Sequence, residues 1–473
     1  MDAEPKSSVP TRALQRARLA PSRLSWLIAV FLLIVQQGAF VLIPLFSAGD
    51  TDAEITYTKK GSQFDNTELH NFLSPASRIL SFLLLTITLM RRLRDVAIVV
   101  VDNPFVFIFA AMLFISALWS IHPDLTLKWA LNYLMTISVA VYLVVYFPGN
   151  DAFKVLSHSF AISAIGSILF VLMFPSLGMM SGDALEGNWR GVFYHKNNLG
   201  EVMTIATFAQ LYLLAARVGR RSLGIFWTAL FCGLVVLSRS GTSLIISSLY
   251  ISMFFVYFLW LQHKVLGYGA AAMFVIILIM IGINLAVDPE TMLGLMGKDK
   301  TLTGRTQLWA EVADLIAQKP WLGWGFGATF IGEDPTTILI WERIGWLAPH
   351  SHNSYLQKTL ELGYIGLILM FIFIGAALWR GLRCCWMGVL PLGYFALVFF
   401  IESLLAGWSE AFLGDGGWIW LVFTFLALAC GQGLSRRQGS RPAKYAARIG
   451  LSASVPMRHM WTSDNRGWRR ICR

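Results

Sequence analysis

Charge is scarce in this chain. Charged side chains make up 14% of its 473 residues, and acids are the scarcer sign, 27 against 38 Lys and Arg. A soluble protein of this size would have too little polar surface to clothe it. Cysteine is also rare. None of the five (Cys232, Cys384, Cys385, Cys430, Cys472) falls in a segment expected on the outer side, so a structural disulfide framework is not expected. Their spacing offers no set of metal ligands, and no metal site is expected. No repeat of solenoid length recurs, and no second soluble domain stands out. The glycine-rich WLGWGFG (321–327) lacks a following GK[ST], which excludes a Walker-type phosphate loop.

What is abundant is apolar. Hydrophobic residues make up 56% of the chain and the mean hydropathy is +0.61. Runs near the ~20 residues that a helix needs to cross a bilayer recur throughout. They predict an all-α polytopic membrane protein of about twelve transmembrane helices. The runs are 24–46, 72–90, 105–121, 129–147, 155–174, 199–216, 223–237, 243–261, 265–287, 356–379, 386–406 and 417–434. This divides the chain into an N-terminal segment 1–23, a membrane domain 24–434 with a large loop at 288–355, and a basic tail 435–473. The first run follows Arg16, Arg18 and Arg23 and has no convincing cleavage site, so it reads as a retained helix.

With an even number of crossings both termini share a side. The short turns Arg91-Arg92-Leu93-Arg94, 217–221 and 380–383 fall there too. Positive-inside bias makes that side cytoplasmic. The basic surface needs no partner beyond anionic lipid head groups, so nucleic-acid binding is not expected.

The unusual polar segments then all land on the outer side. RGVFYHKNNLG (190–200) ends one outer loop, SRSGT (238–242) is a short outer turn, and TGRTQLW (303–309), WLGWGFG and HSHNSYLQKTLELG (350–363) belong to the large loop. That loop carries amphipathic helix: Leu308, Trp309, Val312, Leu315 and Ile316 recur at helical spacing among Glu311, Asp314 and Lys319. Thr303 is placed to cap it and Pro320 to stop it. Such a helix lies in the interface plane and holds Arg305 in its first turn.

His352 stands at the start of a helix that Asn353 or Ser354 can cap and that Gly363 and Gly366 allow to bend. The positive helix end disfavours an imidazolium, and a neutral imidazole can take a proton from a sugar hydroxyl. A histidine bonded to loop backbone is the plainer reading of that residue alone. Arg190, Arg239 and Arg305 come from separate segments, and guanidinium groups that converge bind phosphate oxygens through paired hydrogen bonds. They would also neutralise charge building on a departing diphosphate. Singly, each arginine reads as a helix-end side chain snorkelling to head groups, as does Lys196; together on one face with His352 they read as a site. His195, Lys196, Asn197, His350, Asn353 and Trp309 complete the set as candidate substrate-binding residues, beside catalytic His352, Arg305 and Arg239. The tryptophans of that face fit an interfacial belt better than sugar stacking.

The turn at Trp119, Ser120 and Pro123, then HKNNLG, SRSGT, TGRTQLW, PWLGWGFG and HNSYLQ–LELG, occur in this order. Together they resemble the O-antigen ligase/polymerase superfamily, and within it the exopolysaccharide polymerases of the ExoQ type. The resemblance covers roughly 24–431. It implies a GT-C-like glycosyltransferase without metal or cofactor, at the periplasmic face of the inner membrane of a Gram-negative bacterium. It further implies an undecaprenyl-pyrophosphate-linked oligosaccharide donor and a lipid-linked repeat unit as acceptor. A chain-length-regulating co-polymerase would be a further partner. By the same resemblance His352 activates the acceptor hydroxyl, and Arg190, Arg239 and Arg305 engage the donor pyrophosphate. A ligase moving finished glycan onto lipid A core, a polysaccharide or lipid transporter, and a non-catalytic export scaffold are the competing readings.

Overall fold

The computed structural model describes residues 21–37, 68–181, 186–267, 269–270, 272–273, 305–332 and 334–448. The expected run at 265–287, the opening of the loop at 288, the cap at Thr303, the first twenty residues and the end of the basic tail lie wholly or mostly outside them.

Among the described residues the protein is built of α-helices, with no strand beyond a single bridge between Met179 and Trp189. Among the described residues six helices are long and apolar enough to cross a membrane: α5 (Pro123–Tyr146), α6 (Asn150–Met173), α8 (Arg221–Ser238), α9 (Gly241–Gln262), α12 (Ser354–Trp386) and Trp418–Ser435 at the start of α14. The expected run at 105–121 is instead part of a bent pair, α3 (Leu93–Asp102) and α4 (Pro104–Ile115), which with the turn to Leu118 forms a seventh candidate bent by 92°. The break has a cause in the sequence. Pro104 starts α4, and a proline cannot continue the preceding helix. Asn103, 3% exposed, gives its amide to the Val99 carbonyl, and Arg380 binds the Asn103 side chain and the Asp102 carbonyl.

Three shorter apolar helices accompany these: α1 (Arg23–Gln36), the 77–90 part of α2 (Glu68–Met90), and α13 (Leu392–Ala406). α7 (Lys196–Ala215) falls below the apolarity of a spanning helix for a structural reason. It is buried nearly all round by α6, α8 and α9, so its polar residues Thr204, Thr207 and Gln210 find protein partners rather than lipid. By contrast, α8 and α9 leave long stretches such as Ile225, Phe226, Ile245 and Phe255 exposed, as lipid-facing helices do. α14 (Trp418–Arg448) runs beyond the expected end of the membrane domain at 434.

The large loop folds over one end of this bundle. α10 (Arg305–Gln318) buries Leu308, Val312 and Ile316, the stripe its spacing predicts, and stops just before Pro320. These residues form a small core with Ile340 and Ile344 of α11 (Pro335–Ile344) and with Leu360.

α12 is broken at Gly363, where φ is 64° and ψ −172°. The WLGWGFG segment seals the break. The Tyr364 amide donates to the Pro320 carbonyl at 2.8 Å, Trp324 N–H to Leu360 at 3.0 Å, and Gly325 N–H to Glu361 at 2.8 Å. On its other side Ile121 N–H reaches the Trp324 carbonyl, and the Trp119 indole reaches Leu322. A Cβ on Gly325, whose φ is 106°, would stand 2.2 Å from Ser120 Oγ. This explains why these glycines and the tryptophan–serine turn belong together: they are one joint. Gly325→Ala is expected to lower the melting temperature of the purified protein by several degrees, measured in one detergent against the parent.

Candidate functional site

The N-terminus of α12 fixes the site. Asn353, 2% exposed, caps the helix: its side-chain oxygen accepts from the Tyr355 and Leu356 amides, and its amide donates to the Trp408 carbonyl at 3.1 Å. Both ends of this candidate binding residue are thus engaged within the protein. Ser354 ties the same helix end to the loop 407–417. Its amide donates to Gly407, its hydroxyl donates to the Glu410 carbonyl at 2.6 Å, and the Phe412 and Leu413 amides donate to that hydroxyl.

This stitching brings Glu410 to His352. Nδ1 of His352 lies 3.7 Å from Oε2 of Glu410, within ion-pair reach but without a hydrogen bond. Arg305 approaches the same carboxylate, its Nη2 3.7 Å from Oε1, while its Nη1 donates to the Ser409 carbonyl at 2.6 Å. Burial pushes the Glu410 carboxyl up, but His352, Arg305 and His350 facing it reverse the shift and hold it below the usual carboxylate range. It is therefore an anion beside the imidazole. Trp309 anchors α10 to this turn by donating its indole N–H to the Ser351 carbonyl at 2.9 Å. His352 itself has a φ of 50°. Left-handed backbone in a non-glycine residue costs about 1 kcal/mol and collects at functional sites.

His350 lies against His352 with ring centroids 4.2 Å apart and planes inclined at 52°, and its Nδ1 accepts the His352 amide. In the neutral ring the proton is then on Nε2. Burial, then His352, lower its pKa to about 4, against the opposing pull of Glu410. An unfolded chain takes up this proton near pH 6.5 and the folded one does so only near 4, so stability falls as pH falls through that window. The shift sets a ceiling of about 3 kcal/mol on the loss. Asp415 works in the opposite sense: burial raises it to about 6 although Lys358 pulls it down, so it regains part of that loss below pH 6. His350→Gln keeps an acceptor for the His352 amide. It is expected to narrow the fall in melting temperature between pH 6.5 and pH 4.5 while leaving the value at pH 8 little changed.

The second half of the site comes from the start of α7 and the α8–α9 turn. His195 caps α7, its Nδ1 accepting the Asn197 amide at 3.2 Å. Burial, then the charges of Lys196 and Arg190, lower its pKa. Lys196 Nζ donates to the Arg239 carbonyl at 3.1 Å. Arg239 ends α8 with a φ of 48°, is exposed, and its guanidinium has no partner among the described residues. Arg190 is placed differently. Its Nε donates to the Leu177 carbonyl at 2.8 Å and its Nη1 to Tyr194 at 3.4 Å, so it holds the loop before α7.

A cavity of about 240 Å³ joins the two halves. Asn197, Ser240 and Thr242 line one wall, and His350, Glu410 and Phe412 another. Arg239 and Lys196 are chain neighbours of the first wall, and His352 and Arg305 contact the second through Glu410; none of these four is itself in the lining. Arg190 is not in it either.

Deeper in, the lining includes Glu201, Glu402 and Tyr250, whose hydroxyl donates to Glu402 Oε2 at 2.8 Å. Sequence reasoning did not assign these three to the site. The available signal was an acid inside an apolar run, which is costly in a membrane and marks function. Nearby, Lys358 and Glu361, both under 5% exposed, form a 2.6 Å ion pair inside the first turns of α12. No group of three or more His, Cys, Asp or Glu among the described residues is arranged to hold a metal ion.

Comparison with known proteins adds a family. A model of the O-antigen ligase family matches residues 224–371, from early α8 into α12. The chain is 28% identical over 298 residues to the exopolysaccharide production protein ExoQ of Rhizobium meliloti, covering 59% of this chain and 66% of that one. Over 73 residues it is 40% identical to a putative polysaccharide ligase of Rickettsia felis, covering 15% and 18%. A second putative polysaccharide ligase, from Rickettsia conorii, is 38% identical over 73 residues. The chain thus spans just under two thirds of ExoQ and under a fifth of the ligases.

Proposed function

We infer that this chain, which belongs to the O-antigen ligase/ExoQ-type family, is a membrane glycosyltransferase that joins polyprenyl-pyrophosphate-linked oligosaccharides into exopolysaccharide. The donor in this reading is a glycan on undecaprenyl pyrophosphate, and the acceptor is another lipid-linked repeat unit. The reaction takes place at the periplasmic face of the inner membrane, with both termini in the cytoplasm. The observation that carries the reading is the single cavity bordered by two groups of polar residues. One is the imidazole–carboxylate–guanidinium set of His352, Glu410 and Arg305, and the other is the cationic turn of Lys196 and Arg239.

His352 takes the proton of the acceptor hydroxyl, and Glu410 at 3.7 Å stabilises the imidazolium that forms. The freed oxygen pair attacks the anomeric carbon as the bond from that carbon to the pyrophosphate oxygen breaks. The electron pair of that bond leaves with the diphosphate, where Arg239, Lys196 and Arg305 neutralise the growing charge. The energy comes from the glycosyl-phosphate bond, so no nucleotide is required.

The Rickettsia similarities favour a second reading, transfer of glycan to a different acceptor as a polysaccharide ligase. The test is extension of a purified lipid-linked repeat unit by the purified protein in vesicles. Ladders spaced by one repeat support polymerisation. Product capped on lipid A core supports the ligase, and solute uptake without new glycosidic bonds removes the enzyme reading altogether.

A further inference from the structure

The cavity contains carboxylates for which the pyrophosphate chemistry has no use. Glu201 lies five residues into α7, and Glu402 four residues before the end of α13. At 1.5 Å per residue both sit roughly 6–8 Å inside the helix ends, beneath the turn that carries His352 rather than midway across the bundle. Glu402 is 7% exposed. Among the described residues its Oε2 accepts from Tyr250, with the Ser403 side chain as a further neighbouring donor. The Glu201 carboxylate has no hydrogen-bond partner among them at all, yet it faces the cavity. Buried polar groups are normally satisfied, so acceptors turned toward open space indicate a ligand that donates.

The charges sort the substrate. No Lys or Arg lines the cavity, so a diphosphate buried there would lack a counter-charge, which the cationic turn of Lys196 and Arg239 offers instead. What suits the acidic interior is a molecule rich in hydroxyl donors and free of negative charge. The remaining lining agrees: Ile205, Ile246 and Phe399 offer an apolar surface for ring C–H groups, and Ser240 and Thr242 supply hydroxyls. A bare cation has no need of such a surface. At about 240 Å³ the space is below the roughly 300–1,000 Å³ of pockets for drug-sized ligands, and it suits a single ring.

We propose that this cavity is a subsite for one neutral pyranose ring of the glycan, with Glu201 and Glu402 accepting hydrogen bonds from its hydroxyls. The proposal rests on the glycan-transfer reading above and adds a specificity to it: a uronic acid or other anionic sugar is excluded at this position.

The test uses the full chain in lipid nanodiscs and the free oligosaccharide repeat of the host's own polymer, without lipid or phosphate, with binding followed by saturation-transfer NMR and calorimetry. The parent binds it, and Glu201→Gln and Glu402→Gln each raise Kd at least tenfold. His352→Ala, which removes transfer, leaves Kd within twofold. Ala411→Phe, which fills the cavity from the loop, also abolishes binding and decides the matter where a glutamine variant elutes aggregated. No binding by the parent, or parent-like binding by the variants that remain monodisperse, overturns the proposal.

A parallel titration uses the same repeat with a diphosphate at its reducing end. If the diphosphate tightens binding to the parent and the glutamine variants weaken both forms, the ring belongs to the donor; if the diphosphate leaves the parent's Kd unchanged while the variants weaken both forms, it belongs to the acceptor. Glutamate-dependent binding with no extension of lipid-linked repeats would leave the subsite standing and remove the transferase. Extension without glutamate-dependent binding would do the reverse.

Discussion

His352→Ala is expected to abolish high-molecular-weight polymer while the protein inserts and elutes as the parent does. A positioned general base contributes about 10²–10⁴-fold to a proton transfer, and a polymer of many repeats compounds any loss per step. The expected readout is a fall of at least 100-fold in single-step extension of a purified lipid-linked unit, with donor binding retained. His352→Gln, which fills the same space without a basic nitrogen, should be as inactive as the alanine variant. Glu410→Gln should retain more activity than either, since it leaves the imidazole in place and removes only the charge 3.7 Å away. His195→Ala should be milder still, because that ring is already engaged as the α7 cap. An essential His195 beside a dispensable His352 would overturn the assignment of the base.

Arg239→Asn is the second expected large effect. The substitution is chosen for the backbone: at a φ of 48° asparagine is tolerated where alanine adds strain. It therefore separates the loss of the guanidinium from a loss of the turn. Arg239 is exposed, its guanidinium without a partner among the described residues, so little folding stability is at stake. Removing one charge-stabilising donor from a transition state costs about 10²–10³-fold. Extension should fall by that factor with an unchanged melting temperature. Arg239→Lys should recover only part of the rate, because an ammonium lacks the paired donors of the guanidinium. Activity within threefold of the parent would place the diphosphate elsewhere. Arg190→Lys should instead act chiefly through stability, since that guanidinium is bonded to the Leu177 and Tyr194 carbonyls.

Much of the fold was legible because bilayer thickness imposes a length on apolar runs. The ends of α5 to α9 fall within six residues of the expected runs, and the stripe of α10 is the one that Leu308, Val312 and Ile316 spell out. The bend at Asn103–Pro104 was not read, since the proline stands at the edge of an otherwise unbroken apolar stretch. In the candidate site, residues marked by unusual local composition, such as the HSHN turn, were picked out. Glu201, Glu402 and Tyr250 were not, because each is a lone polar residue in an apolar helix and only packing shows that three helices point them at one space. Glu410 was not assigned to the site either, because spacing in sequence could not reveal that Ser354 ties its loop to His352.

The sealed break in α12 has a mechanical side. Residues 320–325 hydrogen-bond to backbone both before and after Gly363, so the two legs form a rigid bracket rather than a swivel. The embedded leg, 364–386, is ~34 Å long, a little more than the ~30 Å hydrocarbon layer, and such a helix leans as the layer thins. A stiff bracket carries that lean to the short leg and to the imidazole at its tip. In the proposed reaction, lipid acyl length thereby enters the alignment of the reacting groups, on a substrate that would itself be moored by a hydrocarbon tail.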